Sequence, residues 1–160
     1  MLHRALRASG VGMSVRSATT ADSAGVAPLV SALGYPTLTA QMHRRLESIL
    51  SDDDYVTLVA CDGEDIVGFV GARVGSLYES DGCYGQIMAL AVASDHQRHG
   101  VGRMLVQAVE SVLMERGVSV LVVTSGNQRT DTHAFYENNG YRWTGRRYTK
   151  MVESAVLGTS

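Results

Sequence analysis

With two cysteines, Cys61 and Cys83, the sequence lacks a disulfide framework, and both residues fall in strand-like sequence. They are expected to be reduced thiols that fill space, which points to a cytoplasmic protein. Neither they nor the scattered histidines form a zinc set at ligand spacing, so no metal is expected. No apolar run approaches the roughly 18 to 20 residues that a membrane span needs, so no membrane association is expected. Fourteen Lys and Arg against sixteen Asp and Glu leave a net charge of −2, without the basic footprint of a nucleic-acid binder. Repeats and linker-like stretches are also missing. At 160 residues and 45% apolar, the chain is long enough to bury one proper core. The reading is a disordered extension over 1–13, a single domain over 14–152 and a tail over 153–160.

What is present is an ordered series of short elements. Val15 to Ala18 reads as a strand, followed by capping candidates from Thr19 to Asp22. A weak helical stripe around Leu29 is interrupted by Pro28 and ended by Gly34-Tyr35-Pro36. Leu38, Met42, Leu46 and Ile49 mark a second helix, on which Arg44 and Arg45 form a solvated face. Asp52-Asp53-Asp54 is a solvated turn rather than a metal site. Three strands follow, Tyr55 to Cys61, Ile66 to Leu77 and Cys83 to Ala93, with hairpin turns between them. Val101 to Arg116 is an amphipathic helix, and Val118 to Val123 is an apolar run of the kind found in parallel strands. A short helix runs from Thr130 or Asp131 to Asn139-Gly140, and Tyr141 to Met151 is expected to close the sheet as a strand or hairpin. The class is α+β, a mixed sheet with antiparallel strands first and a parallel βαβ unit after them.

The chemistry centres on Gln97-Arg98-His99-Gly100-Val101-Gly102, between a strand and a helix. Glycines let a backbone approach a ligand closely, and a helix start offers unpaired N–H groups and the positive end of a dipole. A phosphate or pyrophosphate is the natural guest. A dinucleotide fingerprint would need a third glycine, but that position is Leu105, and strands precede the motif; a Rossmann-type domain is therefore disfavoured.

Leu90-Ala91-Val92, Gln97-x-x-Gly100-x-Gly102 and Phe135-Tyr136-x-x-x-Gly140-Tyr141 together resemble the GNAT superfamily of acyl-CoA-dependent N-acyltransferases, in its small bacterial-type subgroup. The resemblance covers about Ser14 to Met151 and implies a sheet whose two parallel strands splay apart. It implies acetyl-CoA as co-substrate, its pyrophosphate held by Gln97, Arg98, His99, Gly100, Val101, Gly102 and Arg103. Leu90, Ala91 and Val92 would pair with the pantetheine amides. Arg129, where many relatives have asparagine, would reach a cofactor phosphate. Tyr136 matches the tyrosine that protonates the leaving thiolate, a role suited to a phenol whose ordinary pKa is comparable with a thiol's. Tyr141 and Tyr148 read as packing aromatics.

The sequence departs from the family at Gln86, where many members place a glutamate base. Glu79, Asp81 and His133 are the nearby candidates for that work, each with a simpler structural reading. No Cys–His or Ser–His pair is placed as a nucleophile, so direct attack of a primary amine on the thioester is expected. The acceptor, a small-molecule or protein amine, would lie against Leu29 to Ile49 and Leu77 to Gly82, where Tyr35, Tyr78, Glu79 and Asp81 could hold a cation. A homodimer is a further expectation from the family. The competing function is a non-catalytic acyl-CoA sensor that keeps the pocket.

Overall fold

In the computed structural model, described over residues 6–7, 12–124 and 130–152, the chain divides into two compact units, Met1–Val123 and Thr124–Ser160. The first holds a six-stranded sheet in sequence order: β1 (Leu6–Arg7), β2 (Met13–Ser17), β3 (Tyr55–Asp62), β4 (Asp65–Ser76), β5 (Cys83–Val92) and β6 (Val118–Val123). All neighbours are antiparallel except β5 and β6. That is the expected mixed sheet. Most of the segment read as an extension, 1–5 and 8–11, lies outside the described residues, as does the tail over 153–160; Leu6 and Arg7 pair with Val15 and Ser14.

Helices α1 (Ser23–Ala32) and α2 (Thr39–Leu50) cover one face of this sheet. Val26, Ala27, Leu29, Met42 and Leu46 form one core cluster with Val59, Cys61, Phe69 and Ala91. Pro28 sits inside α1 rather than in a separate first turn. The entry to α1 is fixed by Asp22, which accepts the Thr19 N–H at 2.7 Å and both Arg16 guanidinium nitrogens at 2.8 Å. Those hydrogen bonds, Arg16 first, hold the buried Asp22 carboxyl below its usual range.

The opposite face belongs to α3 (Val101–Glu115). Val101, Leu105, Ala108, Val109 and Leu113 recur at helical spacing and are all buried. Each of its larger side chains contributes about 1.5–3 kcal/mol by leaving water. Close approach needs glycine below: a Cβ on Gly85 would lie 2.9 Å from Leu113 Cδ1. Gly117, at φ 84°, ends the helix as the sequence suggests.

The second unit contains α4 (Thr130–Asn138), followed by Gly140 at φ 88°. The strand or hairpin expected over Tyr141 to Met151 is not formed: residues 141–152 have no regular structure, and Tyr148 is exposed rather than packed. An alternating pattern supplies only a two-faced strand. Pairing must come from a partner, and among the described residues none is hydrogen-bonded in a sheet to this segment.

Candidate active site

The strand that precedes the glycine loop changes its surroundings halfway along. From Cys83 to Ile87, β5 pairs with β4 on one side and with β6 on the other, the last parallel pair being Ile87 with Val123. From Met88 to Val92 it pairs with β4 alone among the described residues. The backbone edge of Leu90, Ala91 and Val92 therefore faces away from β4 without a described strand beside it. The parallel pairing ends where β6 itself ends, at Val123.

At the change lies a bulge. Gly71 pairs with Ala89 but Ala72 pairs with Ile87, so Met88 is an extra residue on β5. Side chains alternate along a strand, and one inserted residue exchanges the faces of all that follow. Gln86, before it, thereby shares a face with Ala89 and Ala91, after it. The sequence gives no sign of this, because Ile87 to Val92 is apolar throughout and reads equally well in either parity.

Beyond Val92 the chain turns through Ser94–His96 and enters α3. The Gln97 side-chain amide donates to the Val92 carbonyl at 3.1 Å, tying the loop back to the strand end. Arg98 has φ 63°, a left-handed conformation that costs a non-glycine residue roughly 1 kcal/mol. Gly100, at φ 81°, is the N-cap residue, and a Cβ there would meet nothing within 4 Å. Among the described residues no side chain caps α3, so the first N–H groups of a long, well-anchored helix have no described side-chain partners. Gln97, Arg98, His99 and Arg103 are exposed around them, Gly102 is half-buried, and Val101 turns into the core. One loop thus gathers the predicted anion-binding residues at the end of β5. Arg129 lies outside the described residues.

His96 was not singled out by the sequence. Its Nδ1 lies 2.8 Å from Asp95 Oδ1 and its Nε2 3.3 Å from Asp62 Oδ2, at the end of β3. Asp95 chiefly, and then Asp62, raise its pKa above the ordinary value. The pattern Asp-His gives a local clue, but the partner on β3 is remote in sequence.

In the second unit, Tyr136 is buried and makes edge-on ring contacts with Phe135 at 5.2 Å and Tyr141 at 5.6 Å. Tyr141 N–H donates to the Tyr136 carbonyl, which closes the end of α4. Burial pushes the Tyr136 hydroxyl up to about 12, so it holds its proton throughout the working range. The match with a thiol, argued from ordinary values, is correspondingly widened. His133 is half-buried on the same helix. Tyr78, Glu79 and Asp81 are exposed in the turn before β5, and Tyr35 is exposed between α1 and α2. Cys61 and Cys83 are both free thiols; Cys61 is in the core and Cys83 donates to the Gly117 carbonyl at 3.2 Å. Asp54 N–H donates to Asp52 Oδ1 at 2.9 Å in an exposed turn, and no metal-ligand group occurs among the described residues.

Residues 26–141 match the model of the acetyltransferase (GNAT) family. Human N-acetyltransferase 8 is 29% identical over 112 residues, 70% of this chain and 49% of that protein. The chain spans about half the length of the first curated relatives it matches. An aminoalkylphosphonate N-acetyltransferase of Salmonella typhimurium is 25% identical over 140 residues, 86% of this chain and 90% of that one. Among solved structures, a GNAT family acetyltransferase of Staphylococcus aureus superposes with a TM-score of 0.77 at 26% identity, covering 88% of this chain and 99% of its own.

Proposed function

Since the chain belongs to the acetyltransferase (GNAT) family, we propose that it moves an acetyl group from acetyl-CoA to a primary amine. The observation that carries the reading is the loop from Gln97 to Arg103, with a helix start that no described side chain caps, placed at the end of a strand that has no described strand on one edge. The loop would hold the pyrophosphate on backbone N–H groups. Leu90 to Val92 would hydrogen-bond the pantetheine arm as a sheet edge accepts a strand.

In the transfer, the amine nitrogen attacks the thioester carbonyl carbon and an oxyanion forms. Its collapse breaks the carbon–sulfur bond, leaving an amide, and the proton lost from nitrogen balances the thiolate released as thiol. Tyr136 is the proposed proton donor for that sulfur. A hydroxyl pushed up to about 12 acts best as a hydrogen-bond donor that stabilises the departing thiolate, and any proton it passes to sulfur is restored by the one lost from nitrogen. Gln86 cannot take a proton, so the amine must arrive neutral or lose its proton through water. The Salmonella relative, nearly all of which this chain spans, supports a small-molecule acceptor.

A thiol-release assay with acetyl-CoA across a panel of amines tests the reading. Tyr136→Phe should lower kcat by about 10²-fold or more while leaving acetyl-CoA affinity near wild type. An unchanged rate would remove Tyr136 from the mechanism. Retained acetyl-CoA binding with no acceptor in the panel would instead favour an acyl-CoA sensor, and a melting temperature unmoved by acetyl-CoA would end both readings.

A further inference from the structure

The face of the sheet beneath α1 and α2 is covered only in part. Val59, Phe69, Ala89 and Ala91 pack against the helices there. Following the register from those positions, Tyr55, Thr57, Gly71, Arg73 and Gln86 lie on the same face. Phe69 is buried and Arg73 is exposed, so the floor opens to solvent between them. At the opening, two small residues meet: Gly71 pairs with Ala89, and a Cβ on Gly71 would touch nothing within 4 Å. Farther along, the Tyr84 ring lies over Gly75, where a Cβ would come within 2.6 Å of it. The result is a shallow floor beside the bulge, walled by an aromatic ring and lined at its outer end by a cation.

That cation is held in place but not neutralised. The Arg73 guanidinium carbon sits 5.5 Å from the centroid of the Tyr55 ring, a cation–π contact that limits the freedom of a long side chain. The ion pairs among the described residues join Arg16 to Asp22, His43 to Glu47, and His96 to Asp62 and Asp95; none involves Arg73. Its cross-strand neighbour is Gln86. A glutamate at position 86 would stand directly opposite Arg73, at a separation where opposite charges pair. The neutral amide leaves the guanidinium uncompensated. The departure at Gln86 and the unpaired Arg73 are thus one feature.

We infer that Arg73 selects acceptors that carry an anionic group, pairing its guanidinium with their carboxylate, phosphate or phosphonate while their amine lies toward Gly71 and Ala89. The inference rests on the proposed acetyl transfer and deepens it. A guanidinium presents a planar fork that matches such oxyanions and never loses its charge. An acceptor that is cationic throughout meets repulsion on this floor. The turn carboxylates of Glu79 and Asp81 remain available to draw in the ammonium end.

The test uses matched acceptor pairs: an amino acid with its amide, and an aminoalkylphosphonate with its neutral diester. Wild type should favour the anionic member of at least one pair, and which pair responds tells carboxylate from phosphonate. Arg73→Gln should cut kcat/KM for that member by about 10- to 100-fold, through KM rather than kcat, and leave the neutral member unchanged. Arg73→Lys should restore part of the loss, as a point charge without the fork. Equal loss on both members, or wild-type preference for neutral or cationic amines, would overturn the inference and leave acetyl transfer standing. Calorimetric binding of the anionic amine to CoA-loaded protein is the second readout. If no acetyl moves but binding still depends on Arg73, transfer falls and the anion site stands.

Discussion

The two halves of β5 belong to one strand and are opposite in use. Cys83 to Ile87 has a strand on each side and α3 packed against Gly85, whereas Met88 to Val92 has no described strand on one edge and leads into the proposed anion loop. The first half is held by burial and ladder hydrogen bonds. The second carries the backbone groups that the proposed cofactor chain would pair with. One strand thus supports a scaffold and a site, and Met88 marks the border between them. Substitutions where the first half meets α3 should therefore alter stability with little effect on cofactor binding, and substitutions beyond the border should do the reverse.

The largest effect is expected where the paired half meets α3. Leu113 is fully buried against Gly85, and Leu113→Ala should cost about 2–5 kcal/mol of stability through lost burial and the cavity left behind. Denaturant unfolding measures it. Below the lowered melting temperature, acetyl-CoA affinity should stay within about twofold of wild type, since RT ln 2 is a small coupling between separate regions. A loss of affinity that scales with the loss of stability would abolish the distinction between the halves.

Across the border the balance reverses. Gly100→Val imposes a branched side chain on φ 81°, with a backbone cost of about 1–2 kcal/mol. The added Cβ meets no protein atom, so the free protein should still fold. In the ligand-bound state that Cβ occupies the approach to the helix N–H groups, and acetyl-CoA affinity should fall by more than about tenfold, beyond what strain alone explains. Calorimetry beside thermal unfolding separates the two terms. Near-normal affinity in Gly100→Val would move the cofactor phosphates away from this loop.

The same border divides what the sequence shows from what it hides. The three central strands are legible because Asp62-Gly63-Glu64 and Ser80-Asp81-Gly82 punctuate β-rich runs. The loop is legible because glycine at positive φ and a helix with a clean apolar stripe are local demands. Met88 is not, since parity is invisible in a run that is apolar on both sides. Arg73 reads as an ordinary strand residue until its register places it opposite Gln86. Tyr141 to Met151 errs in the other direction, with strand-like alternation but no described pairing partner. Features set by neighbours distant in sequence need the coordinates.

The smallest expected effect lies on the loop itself, at His96. Its ring bridges Asp95 and Asp62, joining the loop entry to the end of β3. Because the folded-state pKa is raised, protonated His96 contributes stability that is fully present below the unfolded value near 6.5 and is lost as pH rises through the raised value. The groups are partly exposed, so the contribution is that of a surface pair. His96→Gln keeps a hydrogen-bonding side chain but removes the charge. Acetyl-CoA should then bind about two- to threefold more weakly than wild type at pH 6, with the gap closing as pH rises above 6.5. Phosphate groups of the ligand also titrate near pH 6, but equally for both proteins, so the ratio of dissociation constants isolates the imidazole. A ratio that stays constant from pH 5.5 to 9 would make His96 a spacer, and the charge it carries would have no part in holding the loop.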